Sequence, residues 1–175
     1  LESSEPREIL TAPPKESAGF FGVRRKINSE SLWDRINEAE TLAGKGRVSL
    51  AVRRYRELLS AYPDHPVILN NLALILARGI DVKEAEGLVR KAFNSPGAEK
   101  YVEYLYDTLG YVLLKAGLAA DSIEHFRYSL SMRETAQRNL HMAMALELIG
   151  QPDAAEPYRA RASALDSTGG ALNAE

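Results

Sequence analysis

The chain contains no cysteine. That excludes a disulfide framework and any thiolate metal site, and it suits a reducing or an oxidising compartment equally. Net charge is nearly absent, at −2 over 175 residues, so no bulk positive field draws nucleic acid. No apolar run approaches the roughly 18 residues of a membrane span. The longest candidate, VILNNLALILA from Val67 to Ala77, is too short and carries Asn70 and Asn71. Motifs of catalysis and phosphate binding are missing as well. There is no HExxH, no GxxxxGK[ST] and no GxGxxG, hence no helical zinc site and no glycine-rich phosphate cradle to read. The three histidines are His65, His125 and His141, and no two stand at the four-residue spacing that would put both on one helix face. No catalytic residue, metal or cofactor is expected. Sustained period-2 alternation, the mark of a half-buried strand, is also lacking.

What the chain does have is helical periodicity. Residues 1–28, with LESSEPREILTAPPKESAG at their start, are rich in proline and scattered charge and read as an extended segment. The exception is Phe20-Phe21-Gly22-Val23, whose paired rings are expected to pack against the first helices. From Leu32 onward apolar residues recur at three- and four-residue spacing. Breaks fall at GKG (44–46), YPDHP (62–66), RGID (78–81), NSPG (94–97), AG (116–117) and GQPD (150–153). They cut residues 29–166 into helices of ordinary globular length. Gly117 and Gly150 suit left-handed helix ends. Asp81 and Asp153 are expected to cap the helices that follow them. Residues 167–175 read as a tail.

The breaks come in pairs, and the helices repeat. The small residues Ala51, Ala85, Ser122 and Ala155 recur at spacings of 34, 37 and 33. Tyr55, Val89 and Phe126 stand four residues after the first three. Leu58, Ala92, Ser129 and Ala162 stand seven residues after all four. Preceding helices share a second set: Leu69, Leu72, Ala73 and Leu76 in one, Tyr106, Leu109, Gly110 and Leu113 in the next. This recurrence resembles the tetratricopeptide repeat, a helix-turn-helix unit of 34 residues. Residues 102–134 match best, followed by 66–97. Residues 32–64 match in their second half, through Ala51, Tyr55 and Pro63. Residues 136–165 form a degenerate fourth unit, with Arg159 where an aromatic is expected and Pro157 early in its second helix. The resemblance implies an all-α fold of antiparallel helix-turn-helix repeats stacked in a right-handed superhelical solenoid. It also explains Gly110, a glycine inside a helical pattern. Gly110 falls where the first helix of its unit crosses the second, and a side chain there would force the two apart.

The same resemblance implies a use. First helices line a concave groove, and carrying the groove positions across gives Asn70, Asn71, Leu74 and Arg78, then Tyr104, Asp107, Thr108, Tyr111 and Lys115, then Gln137, His141 and Met144. Asparagine amides can bond both the N–H and the C=O of an extended peptide, and tyrosine and methionine offer adaptable apolar area. The expected role is therefore a non-enzymatic adaptor whose partner is another protein or peptide segment. The alternative is a scaffold that oligomerises through its C-terminal repeat, where no separate capping helix follows. The two-carboxylate clamp of tetratricopeptide co-chaperones does not fit. Asn71 matches its middle position, but Asp34, Glu38, Tyr104 and Thr108 stand where cations or amides are needed. VRRK (23–26) and VRRYR (52–56) are basic, yet Tyr55 reads as a core aromatic and the arginines as its solvated flank, so nucleic acid is not an expected partner. YDTLGYVLLKAG (106–117) is similar to bacterial tetratricopeptide proteins of envelope assembly and export. That similarity implies a soluble protein on the periplasmic or cytoplasmic side of such a system.

Overall fold

The computed structural model describes residues 31–171, with side chains described through residue 167. The expected packing of Phe20 and Phe21 lies outside the described residues. Eight α-helices follow in order: α1 (Leu32–Gly44), α2 (Val48–Ala61), α3 (Pro66–Ala77), α4 (Val82–Phe93), α5 (Val102–Lys115), α6 (Ala119–Met132), α7 (Ala136–Leu148) and α8 (Pro152–Ala171). A single 3-10 turn at Ala98–Lys100 precedes α5. There is no strand among the described residues. The helices pair as α1 with α2, α3 with α4, α5 with α6 and α7 with α8. Each pair stacks on the next, giving the all-α helical repeat solenoid that the sequence implies. The odd-numbered helices touch one another in series and form an inner layer. The even-numbered helices lie behind them.

Local chemistry explains where the helices start and stop. Ser31 Oγ accepts from the Asp34 backbone N–H at 3.1 Å while Asp34 accepts from the Ser31 N–H at 3.0 Å, a reciprocal capping box. Pro66 opens α3 at the one place where a missing N–H costs nothing. Asp81 Oδ1 accepts from the Glu84 N–H at 2.8 Å. Asp81→Ala is therefore expected to lower stability by about 1 kcal/mol in a urea titration. Asp153 behaves differently from expectation. Helix α8 begins at Pro152, so Asp153 sits inside the first turn. It acts on the helix dipole there and does not cap.

Helices α5 and α7 end alike. Leu118 N–H reaches Leu113 O at 2.9 Å and Gly117 N–H reaches Leu114 O at 3.1 Å; Gln151 reaches Leu146 at 2.8 Å and Gly150 reaches Glu147 at 2.9 Å. These are Schellman closures, which need a left-handed residue, supplied by Gly117 at φ +82° and Gly150 at φ +77°.

The core runs between the layers. Ala51, Tyr55, Ala85, Val89, Ser122, Phe126 and Ala155 are all fully buried, so the repeating small and aromatic set is the inter-helix seam. Ser122 Oγ donates to Ala119 O and Ser129 Oγ donates to Glu103 O, both at 2.7 Å. The two serines can therefore occupy alanine positions without an orphaned hydroxyl. Gly110 lies against Phe126: a Cβ built there would come within 2.6 Å of the Phe126 ring. Ala73 and Ala143, the equivalent residues of neighbouring units, are buried as well.

Candidate interaction groove

The groove positions inferred from the repeat all fall on the inner layer or its rim. Asn70, Asn71 and Leu74 are on α3, with Arg78 just past its end. Tyr104, Asp107, Thr108, Tyr111 and Lys115 are on α5, and Gln137, His141 and Met144 are on α7. Their exposure is uneven. Arg78 and Lys115 are exposed, Tyr104, Gln137 and Met144 are half-buried, and the other seven are buried.

The buried members hold one another. On α3, Asn71 Nδ2 donates to the Tyr55 hydroxyl at 3.4 Å, and Asn70 Nδ2 donates to Asn71 Oδ1 at 3.3 Å. Burial pushes the Tyr55 phenol far above its usual range, opposed in part by the Asn71 bond. Asn70 Oδ1 is buried and has no hydrogen-bond partner. Between α5 and α7, His141 Nδ1 lies 3.0 and 3.1 Å from the two Asp107 carboxylate oxygens. Gln137 Nε2 is 2.6 Å from His141 Nε2. The His141 ring lies 4.9 Å from the Tyr111 ring and 5.5 Å from the Phe126 ring. His141 and Asp107 therefore interlock two repeat units. Both imidazole nitrogens are engaged within the fold, which is a structural use of the pair.

The rim is cationic and aromatic. Lys115 Nζ sits 5.0 Å over the Tyr111 ring. The Arg138 guanidinium sits 4.9 Å over the Tyr104 ring, and Arg133 donates to the Tyr104 hydroxyl at 2.9 Å. Sequence reasoning missed Arg138. It is 0% exposed, on the first turn of α7, and a lone arginine in a polar stretch gives no periodic signal of burial. A second missed feature is an aromatic row beyond the groove. Tyr106 packs on Phe93 at 5.1 Å, on Tyr128 at 5.3 Å and on His125 at 5.9 Å. Burial pushes the His125 imidazole down, with Glu124 opposing. A cleft of about 470 Å³ also opens between the α2–α3 and α4–α5 connections, lined by Tyr62, His65, Pro96 and Tyr101 among others; it contains none of the groove residues.

Among the described residues no group of three or more histidine, aspartate or glutamate side chains is placed to hold a metal. No helix there is long and apolar enough to cross a membrane.

No family model matches the chain, and no curated protein matches it. Solved structures do. MamA MSR-1 C2 is 18% identical with a TM-score of 0.57, covering 80% of this chain and 79% of that one. The MamA RS-1 ArsTM double mutant is 15% identical with a TM-score of 0.60, covering 79% and 76%. MamA AMB-1 P212121 is 20% identical with a TM-score of 0.54, covering 78% and 74%. At such identities the likeness is one of fold, and it supports a tetratricopeptide-type arrangement of the helices.

Proposed function

We propose that the chain is a non-catalytic protein-interaction adaptor that binds an extended segment of a partner along the inner layer. The observation that carries this reading is the inner layer itself. Helices α3, α5 and α7 carry asparagine, tyrosine and cationic side chains of three units on one inner layer. Asn70 adds a buried acceptor without a donor, the kind of group that a peptide N–H satisfies. The placement in a bacterial assembly or secretion system rests on the similarity of residues 106–117 to envelope proteins.

The test uses the two exposed positions, since their replacement leaves the core intact. Arg78→Glu with Lys115→Glu is compared with wild type and with Arg53→Glu and Arg127→Glu, exposed residues of the outer layer. Proteins captured from the native lysate by wild type are purified and titrated against all three chains. The groove reading expects at least a tenfold loss of affinity for the rim pair, on the order of 1.4 kcal/mol, and little change for the outer pair. Equal affinity in all three would sink it.

A second reading, a scaffold that oligomerises through its last unit, is favoured by Leu148. This leucine at the end of α7 is 67% exposed, beside a helix α8 whose outward side meets no further described helix. Concentration-dependent mass that Leu148→Lys abolishes would support that reading.

A further inference from the structure

The repeat is irregular at one place. The small-residue spacing of 37 between Ala85 and Ser122 exceeds the spacings of 34 and 33 on either side. The extra length sits in the α4–α5 connection, residues 94–101, where the α2–α3 connection has only 62–65 and the α6–α7 connection only 133–135. It is not slack. Gly97, at φ +81°, leads into the 3-10 turn. Ala98 is buried against Leu69, Ala92 and Leu105, with Tyr101 packed beside them. The α2–α3 connection opposite is pinned as firmly. Lys91 Nζ donates to Pro63 O at 2.8 Å and lies 3.0 Å from an Asp64 carboxylate oxygen. The His65 ring meets the Trp33 ring edge-on, with centres 5.9 Å apart. Two braced connections thus hold open the cleft of about 470 Å³, a size that takes ligands.

Its lining has a definite chemistry. Tyr62 and Tyr101 supply aromatic faces, and Pro63, Pro66 and Pro96 supply rigid apolar ones. Tyr62 is 41% exposed, and neither tyrosine hydroxyl has a partner among the described residues. Asp64, the one carboxylate among the described lining residues, is taken by Lys91. Lys100, also in the lining, is exposed and has no ion pair among the described residues. The cleft therefore offers ring surface, hydroxyl donors and a cation, and no free carboxylate.

We propose that this cleft binds a partner segment in the polyproline II conformation, with an acidic residue beside its prolines. It is a second docking site, apart from the inner-layer groove. A polyproline II backbone makes no internal hydrogen bonds, and proline has no N–H, so the ligand presents carbonyl acceptors where the cleft presents donors. An ordinary extended strand would bring N–H donors to a cleft without a free carboxylate to receive them. Pyrrolidine rings pack on tyrosine faces, the mode in which aromatic-lined grooves take proline-rich segments. The acidic residue answers Lys100.

The test titrates the full, isotopically enriched chain with synthetic peptides: EPPPPPPE, its lysine-flanked counterpart KPPPPPPK, and EGSGSGSE. Backbone amide shifts are read at Tyr62, Gly97 and Lys100, and the Asn70 and Asn71 side-chain amides report on the groove. The expected result is saturable shifts at the cleft with EPPPPPPE below about 1 mM, and binding at least about tenfold weaker for the other two peptides. Tyr62→Ala should lose about tenfold in affinity, as a stacking tyrosine at a binding site does. Lys100→Glu should reverse the preference towards KPPPPPPK. Both residues are exposed, so the variants keep the fold and their spectra away from the cleft stay unchanged. No saturable shift overturns the proposal. So do shifts centred on the groove amides, affinity for EGSGSGSE equal to that for EPPPPPPE, wild-type affinity in Tyr62→Ala, and an unreversed preference in Lys100→Glu. Cleft shifts that grow with protein concentration when no peptide is present would assign the cleft to a second copy, and overturn it too. The groove is read by separate signals, so the adaptor reading stands or falls independently.

Discussion

Gly110→Ala is expected to destabilise the chain, while Gly87→Ala stabilises it, although both glycines lie inside helices. Propensity alone favours alanine over glycine by roughly 1 kcal/mol at either site. At Gly87, on the exposed side of α4, an added Cβ meets nothing within 4 Å, so the full propensity gain is available. At Gly110 the added carbon would sit 2.6 and 2.7 Å from two carbons of the Phe126 ring, well inside van der Waals contact. The ring is fully buried and also packs on His141, so it cannot swing aside without disturbing the α5–α7 link. Overpacking of this kind costs about 1–3 kcal/mol, enough to cancel the propensity gain. Gly110→Leu should lie at the upper end of that range. A second-site change makes the claim specific: Phe126→Leu with Gly110→Ala should be more stable than the sum of the two single losses, because each relieves the other. Urea midpoints that rise for Gly110→Ala, or single effects that add without coupling, would remove the close approach from the explanation.

This contact also marks how far the sequence could be read. Gly110 and Phe126 lie sixteen residues apart within one unit, and the matching positions of other units, Ala73 and Ala143 for the glycine and Tyr55 and Val89 for the ring, assign both. The helix ends were legible for the same reason, since Gly117, Gly150 and Asp81 act on backbone groups a few residues away. Asp153 was misread because Pro152 is itself a good first helical residue and starts the helix two residues before a cap at Asp153 would. The groove was legible in position and not in state. Repeat phase puts Asn70, Asp107, Tyr111 and His141 on the inner layer, but burial depends on what lies over that layer. The pairing of His141 with Asp107 joins residues 34 apart, and no periodicity says whether such a pair meets. The row of Tyr106, Phe93, His125 and Tyr128 crosses three helices, and no spacing within one helix announces it.

Arg138 is the clearest case of a residue silent in sequence and large in expected effect. It is 0% exposed, and burying a guanidinium is costly where its charge is not compensated. Nη1 donates to Arg133 O at 2.7 Å, Nη2 lies 3.7 Å from a Glu103 carboxylate oxygen, and the guanidinium covers the Tyr104 ring. Arg138→Ala removes all three at once, opens a large void, and strips one cation from Glu103. Breaking a buried pair typically costs 3–5 kcal/mol. Glu103 is partly exposed and keeps Arg133 at 3.6 Å, which sets the expected loss near the lower end, about 3 kcal/mol. Arg138→Met keeps most of the volume and the apolar stem, so it should lose less. Arg138→Met combined with Glu103→Gln should recover part of the Arg138→Met loss, since no uncompensated charge remains. Tyr104 gives the prediction its functional side. With its covering guanidinium gone, the ring loses one of the contacts that hold it at the groove rim, so Arg138→Met should weaken partner binding more than its modest stability loss explains. Equal urea midpoints for wild type and Arg138→Ala would show that the guanidinium's contacts contribute nothing net. In that case Tyr104 would be held in place without help from Arg138.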